Sequence, residues 1–426
     1  MENTQGAGRR RQNAIYRAGV LGRRPAVPTD FAELERRARK ASSATGWAYV
    51  AGGAGEGRTM RANRAAFDQW AIVPRMLRDV AERDLSSELL GTPLVAPVLL
   101  APVGAGQLIA KDADLRTAEA AAAVGVPYIF TNQGGTPMEE TARAMGAAPR
   151  WVQLYWSTDE ALVDSLIGRA EAVGAGALVV TLDTTVLGWR PQDLNLGSLP
   201  FAKGLGIGQY TSDPRFRELA ASRPRSGKPE ITLGAIRSLI EITRNHPGAF
   251  WSNLRSPLPR ASVETFLDIY SNPRLNWDHI ATLRDRTRLP IVLKGILHPD
   301  DARRAFDAGV DAIVVSNHGG RQVDNAIAAL DALVAVRDAV GPDARVLMDS
   351  GIRTGADVFV ALALGADAVL LGRPYMYGLA IAGRRGIEEV VANVIAELDL
   401  TMALTGVRNL SEITRELIVP RGTLKA

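Results

Sequence analysis

The sequence predicts an α/β fold: a (β/α)8 (TIM) barrel with a long insertion, read as a lid, after its fourth strand. Three observations carry the prediction. Eight apolar runs of strand length recur from about residue 94 onward, segments of helical pattern separate them, and most of the runs end in polar residues. An open doubly wound sheet is the rival arrangement.

In chain order the runs are LVAPVLLAP (94–102), VPYIFT (126–131), RWVQLYW (150–156), GALVVTLD (176–183), LPIVLKG (289–295), DAIVVSN (311–317), RVLMDSG (345–351) and DAVLLGR (367–373). Most are apolar without alternation, as parallel strands buried on both faces require. Intervening segments such as DEALVDSLIGRAEAVGAG and HPDDARRAFDAG place acidic residues early and glycine last, which are helix start and stop signals. The gap from Asp183 to Leu289 is too long for one crossover helix. It holds an insertion at about 190–275, including GSLPFAKGLGIGQYTSDPRF and a Pro- and Arg-rich stretch to about 261. Its GLGIG follows no buried strand and opens no clear helix, so it reads as loop glycine and not as a nucleotide loop. Residues 1–30 read as an N-terminal arm, 31–60 as a helix ending in YVAGGAGEG, and 31–426 as the barrel domain.

With 426 residues, 46% hydrophobic and 23% charged, the chain can bury a sizeable core, and its net charge is only +4. The cluster Arg9 to Arg11 lies in a polar segment and reads as a solvated tail, so no nucleic-acid partner is expected. The absence of cysteine excludes disulfides, thiolate metal sites, iron–sulfur clusters and cysteine nucleophiles. No secretory signal follows the basic residues and no apolar run approaches about 18 residues, so a cytoplasmic protein without membrane contact is expected.

A barrel enzyme assembles its site at the C-terminal ends of its strands. Those ends present Gly104, Thr131, Gln153 with Tyr155, Thr181 with Asp183, Lys294, Ser316 with His318 and Arg321, Asp349 with Gly351 and Arg353, and Gly372 with Arg373. The last two, MDSGIRTGAD and LLGRPY, fit the phosphate site that such barrels form after strands 7 and 8 from glycine amides, a helix N-terminus and a cation. A phosphorylated ligand follows. Lys294 alone is compatible with a Schiff base or with a positive charge beside a cofactor that becomes anionic; a neighbouring base, several arginines and a phosphate site favour a flavin. His318 sits in a Gly-rich turn three residues before Arg321, where a histidine can act as general base and an arginine fork can hold a carboxylate. Asp183 is placed to orient the imidazole. His246 and His279 in the insertion, and His298 before Pro299, read as structural, and no metal is expected.

The motif SNHGGRQ (316–322) resembles the signature of the FMN-dependent α-hydroxy-acid oxidases and dehydrogenases, and the resemblance runs from about Tyr49 to LTMALTGVRNLSEI. It implies that His318 removes a substrate proton while the α-hydrogen leaves for the flavin. It also implies that Arg321, Tyr49 and Arg190 bind the carboxylate and that Tyr155 hydrogen-bonds the substrate oxygen. The implied FMN contacts are Pro102, Val103 and Gly104, Thr131, Gln153, Thr181, Lys294, Ser316, Asp349, Gly351, Arg353, Gly372 and Arg373. GWRPQDL, ERDLS, DSGIRTGADV and the insertion look most like the lactate 2-monooxygenase branch, in which retained keto acid and peroxide react to give oxidative decarboxylation. Gly104, where oxidase-type members often carry alanine, agrees with that branch by leaving space near the flavin. FTNQGGTPM (130–138) departs from the family pattern by placing Asn132 and Gln133 at the substrate pocket, which points to a larger or more polar 2-hydroxy acid than lactate. The expected activity is oxidation of an (S)-2-hydroxy acid to the keto acid with dioxygen, by a homotetramer or higher oligomer. The alternatives are an FMN barrel acting as isomerase or dehydrogenase on a phosphorylated substrate, and a non-catalytic flavin-binding protein.

Overall fold

Eight parallel strands follow one another around a closed barrel in chain order in the computed structural model, which describes residues 6–224 and 231–422. They are β1 (Val98–Leu100), β2 (Tyr128–Phe130), β3 (Arg150–Leu154), β4 (Leu178–Thr181), β5 (Ile291–Ile296), β6 (Ala312–Val315), β7 (Val346–Met348) and β8 (Ala368–Leu371). Closure is made by β8 against β1, with Val369 opposite Val98. Side chains alternate between two apolar layers. Leu99, Ile129, Trp151, Val179, Val292, Val314, Leu347 and Leu370 pack together in one, and neighbours such as Val98, Leu100, Val180 and Leu293 belong to the other with the surrounding helices. The strands lack polar alternation because both layers are dry.

The run expected at 94–102 divides between two elements. Thr92–Leu94 pairs antiparallel with Ser87–Leu89, and β1 starts only at Val98. The small hairpin packs on the inner layer through Leu89 and Leu94, and Thr92 Oγ1 accepts a hydrogen bond from buried Trp151 Nε1 at 2.9 Å.

Two expectations about the N-terminal region are corrected. The arginine cluster is not a tail: it lies in a helix, Ala7–Val20, packed on the last helix, Arg373–Thr405, where Arg9 and Arg10 are exposed but Arg11 bonds Asn393 at 2.8 Å and pairs with Glu389 at 3.4 Å. Asp399, fully buried, fixes this contact by accepting from Gly8 N at 2.8 Å and from both ends of the Arg83 fork at 2.9 Å. The single helix expected over 31–60 is several shorter ones, Phe31–Ala41, Ala44–Ala51 and the start of Arg58–Asp68. Two serines interrupt the first pair. Ser42 Oγ bonds back to Ala38 O, and Ser43 Oγ caps Gly46 N.

The insertion is largely helical, with Pro191–Asn195, Gly208–Thr211, Pro214–Ser222, Leu233–Asn245, Phe250–Arg255 and Leu258–Ile269 among its described residues. Part of its Pro- and Arg-rich stretch, 225–230, lies outside the described residues. It has an aromatic core of its own: Phe266 stacks on Tyr270 at 4.7 Å and meets Tyr210 edge-on at 4.8 Å and Phe201 at 5.1 Å. Tyr210 ties this core to the end of β2 by donating to Asn132 Oδ1 at 3.0 Å.

Candidate active site

At the C-terminal ends of the strands lies a cleft enclosing about 1010 Å3 of space, open solvent at its mouth included. Tyr49, Pro102, Val103, Gly104, Gln133, Gln153, Tyr155, Arg190, Lys294, His318, Arg321, Asp349, Gly351, Arg353, Gly372 and Arg373 all line it. Four other sequence-predicted residues stand directly behind this lining. Asp183 bonds His318, Ser316 bonds Lys294, and Thr131 and Thr181 grip Gln153 from its two sides at 3.1 and 2.9 Å.

The turn after β6 is the most constrained part of the site. His318 has φ 57°, a left-handed conformation that costs a side-chain-bearing residue roughly 1–3 kcal/mol. Neighbouring groups hold it there. His318 N donates to Ser316 Oγ at 3.0 Å, Gly319 N to Ser350 Oγ at 2.9 Å and Gly320 N to Asn317 Oδ1 at 3.1 Å. Asn317 is fixed in turn by a reciprocal amide pair with Asn63, at 2.8 and 2.7 Å.

That turn delivers the imidazole to Asp183, whose Oδ1 lies 2.7 Å from His318 Nδ1. With the Nδ1 proton on that bond, the neutral ring keeps its lone pair on Nε2. Burial pushes the His318 pKa down, against the opposing pull of Asp183. Burial alone would raise the Asp183 carboxyl, but the His318 N–H and the Lys294 charge outweigh it and hold it below the usual range. Tyr155, at the end of β3, is kept firmly protonated by burial and by the negative charge of Asp183.

Arg321 lies over the Tyr49 ring at 4.8 Å, with Nη1 held by the backbone carbonyls of Tyr49 and of Gly52. Burial and the charge of Arg190 push its pKa down to about 9, a sign of a cation awaiting an anion. Arg190 spends Nε on Arg321 O at 3.1 Å and Nη2 on Gln322 Oε1 at 2.6 Å, which leaves Nη1 for the cleft. Gln322 closes the ring by donating to the carbonyls of Asp183 and Val186 at 2.7 and 3.0 Å.

Two more partly buried guanidiniums line the cleft and meet carbonyl oxygens instead of carboxylates, Arg373 sharing the Gly52 carbonyl with Arg321. Arg353 bonds Ile352 O at 2.9 Å and covers the Phe31 ring, while Arg373 bonds Val50 O, Gly319 O and Gly52 O at 3.1, 2.9 and 2.8 Å. Burial and the neighbouring Arg373 push Arg353 down to about 10. The helices Gly355–Ala363 and Arg373–Thr405 begin here, so two helix N-termini add to the positive field. Lys294, buried at the end of β5, bonds Ser316 Oγ at 2.8 Å and Asp349 Oδ2 at 2.9 Å. Burial is outweighed there by the Asp349 and Asp183 charges, so the ammonium is retained. This donor set fits FMN: unneutralised guanidiniums at two helix starts suit its phosphate, and a buried ammonium suits a ring system that gains negative charge on reduction.

Sequence reasoning did not single out Phe201, Tyr270, Thr184, Leu187 or Ser350, which also line the cleft. Ser350 adjoins Asp349 in MDSG and could have been read with it. Phe201 and Tyr270 reach the cleft only through the folding of the insertion, for which the sequence carries no local signal.

The family model of the FMN-dependent dehydrogenases matches residues 38–420. An FMN-dependent α-hydroxy acid dehydrogenase of Penicillium citrinum is 42% identical over 407 residues, covering 95% of this chain and 94% of its own length. An L-lactate oxidase of Lysinibacillus sphaericus is 39% identical, with 89% of each chain covered. Among solved structures, mandelate oxidase with (S)-4-hydroxymandelic acid superposes with a TM-score of 0.75 at 33% identity, covering 91% of this chain and 98% of that one. With the barrel, the anion-binding end of the cleft and the relatives in agreement, the chain belongs to the FMN-dependent dehydrogenase family and is an FMN enzyme that oxidises α-hydroxy acids.

Proposed function

We propose that the protein oxidises an (S)-2-hydroxy acid to the 2-keto acid and passes the electrons to dioxygen. The observation that carries this reading is the arrangement at one cleft of the His318–Asp183 dyad, the Tyr155 hydroxyl and the guanidiniums of Arg321 and Arg190. The similarity to an L-lactate oxidase and to mandelate oxidase supports oxygen as acceptor. Bound FMN supplies a two-electron acceptor for the α-hydrogen. Arg321 and Arg190, with the Tyr49 hydroxyl, hold the substrate carboxylate. Nε2 of His318 takes the hydroxyl proton, and Asp183 stabilises the imidazolium that results. Tyr155 donates to the substrate oxygen, and Lys294 supplies fixed positive charge in the floor of the site. His318→Gln is expected to keep FMN bound and lose anaerobic flavin bleaching by hydroxy acids; bleaching at an undiminished rate overturns the assignment.

A second reading, coupled oxidative decarboxylation, is favoured by the insertion that walls the cleft with Phe201 and Tyr270 and is anchored through Tyr210. Such a wall retains keto acid and peroxide together. Carbon dioxide released in proportion to substrate supports it, and stoichiometric free peroxide rules it out. We further take the working unit to be a homotetramer or larger and its location to be the cytoplasm. Light scattering on the holoenzyme and cell fractionation test these two points.

A further inference from the structure

Among the described residues, the carboxamide of Gln133 has no hydrogen-bond partner. The residue is only 5% exposed and lines the cleft, yet among the described residues its side-chain oxygen and nitrogen make no hydrogen bond; only its backbone is engaged, N with Thr131 Oγ1 at 3.2 Å and O with Ala105 N at 2.9 Å. A carboxamide that faces the cleft and is committed to no protein partner has its donor and its acceptor available to a ligand. The backbone that carries the amide is held by those two bonds. Its neighbour Asn132 is locked at Oδ1 by Tyr155 N at 2.9 Å and Tyr210 Oη at 3.0 Å.

Gly104 is what makes room for it. A Cβ at position 104 would stand 2.8 Å from Gln133 Oε1, 2.9 Å from Gln133 Cβ and 3.5 Å from the Tyr49 hydroxyl. The space created by this glycine is therefore filled from within the chain, and Gly104 and Gln133 form one steric unit. The other polar groups near the cleft are already assigned. Arg190, Arg321 and Tyr49 face the carboxylate, His318 and Tyr155 face the hydroxyl, and Thr184 donates to Asp183 at 3.0 Å. Phe201, Tyr270 and Leu187 give the remaining wall an apolar character.

We propose that Gln133, seated over Gly104, reads the substrate side chain, and that the substrate is a 2-hydroxy acid whose side chain carries an uncharged hydrogen-bonding group such as a hydroxyl or amide. The proposal rests on the hydroxy-acid reading above and names the substrate class for it. An amide both donates and accepts, so it pairs with a neutral polar group and gains little from lactate's methyl.

The test uses the FMN-loaded enzyme and a near-isosteric pair of (S)-acids, 2,4-dihydroxybutyrate and 2-hydroxyvalerate. Anaerobic flavin reduction, as rate over apparent Kd, is expected to favour the dihydroxy acid by about tenfold, and Gln133→Leu to abolish that preference while FMN stays bound. Gly104→Ala is expected to slow both acids in the wild-type background and to do so less with Gln133→Ser, which removes the colliding amide. Equal rates for the two acids in the wild type, equal losses for both in Gln133→Leu, or loss of FMN in that variant overturns the proposal. If neither these acids nor lactate bleaches the wild-type flavin, it is the hydroxy-acid reading itself that fails.

Discussion

At the scale of single residues, the site depends on His318 being neutral while its partner Asp183 is charged. Burial lowers the histidine pKa and Asp183 opposes it, so the imidazole is a free base at pH values where an ordinary histidine is partly protonated. Flavin reduction should therefore rise with pH through a midpoint below the ordinary histidine range and then level off. Asp183→Asn removes the carboxylate that favours the imidazolium, so the midpoint should move to lower pH and the plateau should fall by about a hundredfold. The pH profile of anaerobic flavin reduction checks both, and a midpoint that moves upward contradicts the assignment of Asp183. The left-handed turn at His318 is the backbone counterpart of this chemistry. Its strain is sustained by bonds from Ser316, Ser350 and Asn317, none of which carries the reaction.

At the scale of elements, several hydrogen bonds join the insertion to the strand ends, among them Gly208 N to Gly134 O at 2.8 Å, Gln209 with Met138 N and Thr136 O, and the Tyr210 hydroxyl. Tyr210 lies in the aromatic core of the insertion, and its hydroxyl meets Asn132, which also accepts from the backbone of Tyr155. Tyr210→Phe keeps the ring packing and deletes that link. The expected cost is about 0.5–1.5 kcal/mol of stability, with a larger proportional loss of substrate affinity because Asn132, beside Gln133, loses one of its two anchors. Urea unfolding and a substrate titration of flavin bleaching measure the two; unchanged substrate affinity would show that this link does not position the pocket.

At the scale of the whole molecule, the charge distribution is the feature that organises ligand binding. A net charge of +4 is modest, but Arg190, Arg321, Arg353 and Arg373 converge on one cleft. Burial is the main cause that pushes the guanidinium pKa values down at Arg321, Arg353 and Arg373, and neighbouring guanidiniums add to it. Anion binding should therefore stabilise the apoprotein. Inorganic phosphate at 100 times its Kd should add about 2.7 kcal/mol, and Arg353→Ala should remove most of that gain. Thermal unfolding of FMN-stripped protein across a phosphate series gives the answer, and an unshifted Tm would place the phosphate site elsewhere. No helix among the described residues is long and apolar enough to cross a membrane.

The barrel was legible because a parallel strand buried on both faces leaves a local mark, a short apolar run, that recurs with each strand–helix unit; β2 to β4 and β6 to β8 fall inside the runs read from the sequence, and β5 extends one residue past its own, to Ile296. The site residues that end those strands were legible for the same reason, since a polar group terminating a dry strand stands out. The run before β1 misled because an antiparallel hairpin and a barrel strand of the same composition adjoin there, and pairing direction has no local signature. Arg11 misled because its partners, Glu389 and Asn393, are hundreds of residues away. By itself the sequence determined the barrel, the strand-end ring and the SNHGGRQ turn, each encoded in a few consecutive residues. Only the tertiary structure decided that Gly104 is occupied by Gln133, that Phe201 and Tyr270 wall the cleft and that Gln322 links Arg190 to the Asp183 loop, because each is a contact between residues far apart in the chain.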